Sequence, residues 1–284
     1  MTDRIGSILL IVFTVLVLAS SGLAQISVKP GDMKDSRTTG SFFAGFEIEL
    51  SVTGASLTGA KAMRVLLTAA ADETGRNIIK ESQTDFEEIN EDETEASVTI
   101  KMKNPSRSAM TIKEITGSVE IFVPAKDPAS IVTVTNISKS IGVPVSAPAL
   151  KAAGIEVTIW NKEQYEARKK AAEEEKKKSK GESGIGEGLM GMFSSLMDSF
   201  GNMDENSIAF QIKDPQLKIV RIELQNAEGE VIGSGGMTIG DAKQQTRILD
   251  LQEKLPPNAR VKIYILTAKS MIKSSFRLEK ITLP

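Results

Sequence analysis

Hydrophobic and polar residues alternate with period two at six places along the chain. Phe46, Ile48, Leu50 and Val52 are separated by Glu47, Glu49 and Ser51. Val98, Ile100 and Met102 alternate with Ser97, Thr99 and Lys101. Val119, Ile121 and Val123 follow the same rule, as do Ile155, Val157 and Ile159. So do Ile208, Phe210 and Ile212, and then Val261, Ile263 and Ile265. Period two sends successive side chains to opposite faces, so each run reads as a strand with one buried and one wet face. Turn residues separate the runs: Asp72 to Gly75, Asn104-Pro105, Glu228-Gly229 and Pro256-Pro257-Asn258. Short strands with frequent turns predict a mainly β protein of two antiparallel β-sandwich (Ig-like) domains, with a helical insertion in the second.

The expected divisions are an N-terminal β-sandwich domain over 25–150 and a C-terminal one over 151–284, with the insertion at 161–206. Asn161 stands where a helix N-cap would, with Gln164 at the N3 position. Glu166 with Lys170, Glu173 with Lys177 and Glu174 with Lys178 are favourably ordered i, i+4 pairs. Residues 162–180 therefore predict an exposed helix with almost no apolar face. The order of strand, acidic glycine turn, strand, Pro-Ala loop and strand occurs once around Asp72–Ala109 and again around Ala227–Ala259, which suggests a duplication.

The first 24 residues read as an address. Arg4 precedes an apolar run from Ile5 to Ala19, and Gly22 and Ala24 set small residues before a cut ahead of Gln25. This is the three-part pattern of a secretory signal peptide, and the run is short for spanning a bilayer. Cleavage near Ala24 makes the expected location extracytoplasmic, periplasmic or secreted.

Composition narrows the chemistry. The 284 residues include no His and no Cys, which removes disulfides, Cys/His zinc sites and any Ser-His-Asp or Cys-His nucleophile system. A net charge of −2 lacks the basic footprint of a nucleic-acid binder. No cofactor is expected, and no metal. Hydrophobic content of 40% with 25% charged residues is ordinary core-forming material.

Ala70-Ala-Asp-Glu-Thr-Gly-Arg76, Lys103-Asn-Pro-Ser-Arg-Ser-Ala109 and the stretch from Ile112 to Pro124 resemble a pattern in secreted bacterial β-rich proteins of unknown function. The resemblance spans roughly residues 44–150. It implies location and fold class and carries no site residues.

Few features suggest reactivity. Asp85, Glu87, Glu88, Glu91, Asp92, Glu93 and Glu95 form the densest acidic run, without the spacing of a calcium loop. Ser270 and Lys273 match a Ser/Lys spacing but lack its companion motifs. Gly184, Gly186 and Gly188 follow no strand and read as linker rather than a dinucleotide loop. Trp160 ends a strand and is expected in the core or at a sandwich rim.

Residues 185–203 stand apart. Ile185, Leu189, Met192, Phe193, Leu196, Met197, Phe200 and Met203 recur at helical spacing and, with Met190, fill an arc of about 160°. A Met- and Phe-rich face is soft and adaptable, suited to contact. It packs on its own sandwich, binds a protein partner, or self-associates. Membrane-surface contact is disfavoured, because residues 181–206 contain no Lys or Arg. The leading expectation is a non-enzymatic binding or structural module of the bacterial cell envelope. The alternative is a hydrolase using paired Asp/Glu carboxylates.

Overall fold

The computed structural model describes residues 26–38, 44–80, 85–89, 93–179, 203–233 and 236–284. Residues 1–24, expected to be a signal peptide, lie outside the described residues. Strands β1 (Ser27–Ser36), β2 (Gly45–Thr53), β3 (Ala62–Asp72), β4 (Glu87–Glu88), β5 (Glu95–Met102) and β6 (Thr111–Phe122) come first. After β7 (Ile131–Val134) come α1 (Ile137–Ser140), α2 (Pro148–Ala153), β8 (Glu156–Asn161) and α3 (Lys162–Ser179). Then follow β9 (Ser207–Lys213), β10 (Ile219–Gln225), β11 (Met237–Gly240), β12 (Gln244–Asp250), β13 (Arg260–Ile265) and β14 (Met271–Thr282). The protein is mainly β, and its named strands pair antiparallel throughout.

Four sheets result: sheet I in the order β1-β2-β5, sheet II as β14-β6-β3-β4, sheet III as β10-β13-β7, and sheet IV as β11-β12-β9-β8. All six alternating runs meet a strand, with Val123 one residue past the end of β6 and Ile155 one before the start of β8. In β2 the alternation is strict, with Phe46, Ile48, Leu50 and Val52 fully buried and their neighbours half-exposed. Those four meet Met63, Val65, Ile115, Val119 and Ile121 of sheet II in one core. A second core joins Val157, Ile159, Ile208, Phe210 and Ile212 of sheet IV to Leu224, Val261, Ile263 and Val132 of sheet III. Burying such side chains supplies roughly 1.5–3 kcal/mol each, which drives the layering.

The two sheet pairs repeat one another. In chain order β1, β2, β3, β5 and β6 occupy the places that β8, β9, β10, β12 and β13 occupy in the other pair. The match extends to single hydrogen bonds. Asp72 N donates to Arg76 O, Gly75 N to Asp72 O, and Ile78 N to Ala70 O. Asn226 N donates to Glu230 O, Gly229 N to Asn226 O, and Ile232 N to Leu224 O, each at the same sequence offset. The side-chain oxygens agree as well: Arg76 N donates to Asp72 Oδ1, and Glu230 N to Asn226 Oδ1. Both turns need a left-handed glycine, Gly75 at φ 84° and Gly229 at φ 96°.

Where the repeats end, they trade strands. β7 follows β6 in sequence yet pairs with β13, and β14 follows β13 yet pairs with β6. Strand length gives the reason. β6 and β14 are both 12 residues long, whereas β13 has 6 and β7 only 4. Pairing each strand with its sequence neighbour would leave most of β6 an open edge and most of β14 overhanging. The exchange satisfies the long ladder. A boundary at 150/151 therefore cuts across both cores. Val132, Ile137 and Leu150 lie before it and pack in the second core, while Ile281 and the partly buried Ile272, Phe276 and Leu278 lie after it and pack in the first.

Candidate functional site

The helical insert is rooted on sheet IV. Asn161 ends β8 and caps α3, its Oδ1 accepting from Gln164 N at 3.0 Å. The reciprocal half of a capping box is absent, because buried Gln164 Oε1 has no hydrogen-bond partner. Tyr165 then turns toward the sheet and is buried with Trp160, Met203 and Ala209, with Ile248 against them. Trp160 and Ala209 are register partners on β8 and β9, so the cluster sits over one spot of the sheet. The ring centroids of Trp160 and Tyr165 are 6.4 Å apart, and the Arg168 guanidinium lies 5.9 Å from the Trp160 ring. Burial pushes the Tyr165 hydroxyl above its ordinary pKa. Both ends of the insert, Lys162 and Met203, thus start from the same patch.

Met203 of the expected contact face is only 4% exposed and closes that root. Ile185, Leu189, Met192, Phe193, Leu196, Met197 and Phe200 lie outside the described residues. Trp160, expected in the core or at a sandwich rim, is 5% exposed, but it lies on the face of β8 opposite Val157 and Ile159, buried under the root of the insert and not in the second core.

A second feature is a charge cluster at the junction of the two sheet pairs, which sequence reading missed. Glu223 of β10 is buried, and its Oε1 accepts from Lys61 Nζ at 3.2 Å and lies 3.1 Å from Arg221 Nε. Its Oε2 accepts from Tyr264 Oη at 3.0 Å and from Gln225 Nε2 at 2.8 Å. Lys61 Nζ also sits 5.3 Å from the Tyr264 ring centroid, and the Tyr264 ring meets Phe122 edge-on at 6.4 Å and 85°. Ala62, Phe122 and Tyr264, with Ile131, Val220 and Leu266, form the apolar part of this junction. Burial opposes ionisation of Glu223, but the Lys61 ammonium, the Tyr264 hydroxyl and Arg221 outweigh it and hold its pKa below the ordinary value.

Nearby, Glu120 bridges three strands of sheet II. It accepts from Arg64 Nε at 2.8 Å and from Lys273 Nζ at 3.2 Å. Phe86 stacks on the Arg64 guanidinium at 4.5 Å. Here too burial works against ionisation, and the Arg64 and Lys273 contacts lower the pKa overall. A carboxylate held ionised at neutral pH is a poor proton donor, so neither Glu120 nor Glu223 is tuned as a general acid. Both anchor strands.

The remaining candidates are structural wherever the described residues reach. Ser270 is fully buried and donates to Thr267 O, closing a tight connection, and Lys273 is engaged by Glu120. Of the acidic run, Glu87 and Glu88 form β4, Glu88 pairs with Arg221, and Glu95 accepts from Ser51. Glu91 and Asp92 lie outside the described residues. Among the described residues no group of three Asp or Glu converges on a point where a metal ion could be held. A cleft of about 530 Å³ between Pro144 and Glu156 and one of about 300 Å³ between Val231 and Pro256 are lined by one carboxyl each, Glu156 and Glu253. Among the described residues no helix is long and apolar enough to cross a membrane.

Comparison of the chain with family models, curated proteins and solved structures returned no match.

Proposed function

We propose that the protein is an extracytoplasmic, non-enzymatic binding or structural module of the bacterial cell envelope, built of two Ig-like β-sandwich domains. In this reading it makes contact through the Met-rich face of its insert. The observation that carries the proposal is the root of that insert. Trp160, Tyr165 and Met203 bury against β8 and β9, so both ends of the excursion are held on rigid sheet. Interaction segments are commonly carried by loops on such scaffolds. The signal-peptide pattern and the resemblance to secreted β-rich proteins support the location.

The test is crosslinking and pull-down from the native envelope, with the full chain compared against a chain lacking 181–205. Loss of specific crosslinks with retained folding supports the reading. Crosslinks that persist unchanged without 181–205 overturn the contact assignment. The second reading, a carboxylate hydrolase, needs a pair of carboxyls roughly 5–10 Å apart, and the two clefts described above among the described residues offer one each.

A further inference from the structure

The two repeats differ at one end. In the first, Lys103 N donates to Ile78 O at 2.8 Å and ties the turn after β3 to the connection after β5. Ile78, Met102 and Pro105 are buried there. The end of β1 lies across this tie: Asn104 Nδ2 donates to Asp35 Oδ1 and to Ser36 O, and Arg37 Nη2 donates to Pro105 O. In the second repeat Ile232 holds the place of Ile78. Leu251 holds that of Met102, since Leu251 N donates to Asn206 O just ahead of β9, as Met102 pairs with Phe46 at the head of β2. Among the described residues no backbone hydrogen bond joins Gln252 to Ile232. The two walls stand apart around a groove of about 300 Å³ whose apolar residues are Val231, Ile232, Leu251 and Pro256. Val231, in the place of Asn77, is 53% exposed, and Ile232 and Leu251 are only half-buried.

The missing cover can be traced along the chain. Met33 of β1 faces Ile48, and Asn161 of β8 faces Ile208, the same place in the two repeats. Past that point β1 runs on to Ser36, whereas the second repeat turns into α3. The insert therefore begins where the first repeat has its covering segment. We propose that this groove is the docking site of the insert's own returning end, taking the apolar side chains of Leu196, Met197 and Phe200. Connectivity brings that end close. Phe200 precedes Asn206 by six residues, a reach of at most roughly 20 Å, and Asn206 O is bonded to Leu251 in the groove wall. The walls select the same end. The groove has gained Val231 where the first repeat has Asn77, so it suits the apolar stretch and not the charged residues 162–180. The short tether gives an effective concentration on the order of millimolar, which favours the chain's own segment over a second copy. Ile185, Leu189, Met192 and Phe193 are left for the partner contact proposed above, and the docking does not depend on that contact.

The natural absence of cysteine makes the test direct. Val231→Cys in the full chain is labelled with a soluble maleimide, alone and combined with Leu196→Asp, Met197→Asp and Phe200→Asp. Labelling is expected to be about tenfold slower with the native segment than with the three aspartates, at a rate independent of protein concentration. Val143, 57% exposed and outside the groove, is the control, and Val143→Cys should label equally in both backgrounds. A second measurement keeps the apolar residues intact. Glu253→Cys on the groove wall is paired with Ser199→Cys in one chain and oxidised in dilute solution. Its intramolecular disulfide should form about tenfold faster than that of Val143→Cys with Ser199→Cys. Equal labelling of Val231→Cys in the two backgrounds overturns the proposal, as does oxidation no faster than the Val143→Cys control. Protection that appears only as protein concentration rises also overturns it, because the occupant is then a second copy. No envelope partner is present in either measurement, so failure of the partner contact leaves both results unchanged.

Discussion

Lys61 and Glu223, 162 positions apart in the chain, form a 3.2 Å salt bridge that is almost sealed from solvent at the junction of the two sheet pairs. Its position beside Phe122 and Tyr264 makes it the polar centre of an otherwise apolar contact. Removing one partner strands the other in a poorly hydrated site. Glu223→Gln is expected to destabilise the protein by about 3 kcal/mol in urea unfolding, whereas the exposed pair Arg277–Glu279 should contribute less than about 1 kcal/mol. Equal effects of the two would show that the junction is not sealed.

Acid should weaken the fold through the same groups. Glu223 and Glu120 have folded-state pKa values below the ordinary 4.5, and Asp72 below 3.8. For Asp72, burial acts in the raising direction, and hydrogen bonds from Thr74, Ser106 and Arg76 outweigh it. A depressed carboxylate binds fewer protons folded than unfolded. Its stabilisation is therefore complete above the ordinary value and is lost as pH falls through the lower folded value. Melting temperature should stay level from about pH 7 to 5 as far as these groups decide it, then fall steeply below about pH 4. Glu223→Gln should make that acid limb shallower.

Gly117 lies mid-strand in β6, opposite Phe276 of β14. An added Cβ would stand 2.5 Å from Leu66 O and 3.1 Å from the Phe276 ring. The backbone oxygen cannot yield without breaking the β3–β6 ladder. Gly117→Ala is expected to cost about 2–3 kcal/mol, far beyond the small gain that alanine brings to a free strand. Thermal unfolding checks this, and Gly75→Ala serves as a comparison, since there a Cβ meets open space and only the left-handed φ is strained.

A chain ending at Leu150 should not fold as a unit. It keeps β1 to β6 but loses β14, and with it the partly buried Ile272, Phe276 and Leu278 from the first core. The expected readout is weak, non-cooperative urea unfolding by circular dichroism. Residues 267–284 joined behind Val123 by a flexible linker should restore a cooperative transition, since β14 then reaches β6 directly.

Much of the strand content was legible from residues alone, and the exceptions share a cause. β2 and β5 each bury one face, so alternation marks them, and in β8, β9 and β13 the core-facing positions still alternate although Trp160, Ala209 and Tyr264 are covered on the other face. β1 is an edge strand with a register shift between Pro30 and Met33, and its Pro, Gly and Asp read as a turn. β14 is an edge strand too, and its polar residues Ser274, Ser275, Arg277 and Glu279 dilute the pattern. The junction charges escaped for another reason. Glu223 alternates correctly with Ile222 and Leu224, which places it on the outward face of β10. Only the arrival of Lys61 and Tyr264 on that face turns outward into buried. Helix α3 was readable down to its Asn161 cap, because capping is local.

By itself the sequence determined the local elements: where strands alternate, where glycine turns recur, and where a charged helix leaves the sheet. These follow from side-chain periodicity and from hydrogen bonds spanning a few residues, which need no knowledge of distant partners. The tertiary structure alone decided which strand completes which sheet. β7 and β14 each follow a strand that could take them as a neighbour, and no local pattern favours exchange. The choice was made by matching a 12-residue ladder to a 12-residue strand across the whole length of the repeat, a comparison of non-local pairings that becomes defined only when all four sheets are assembled.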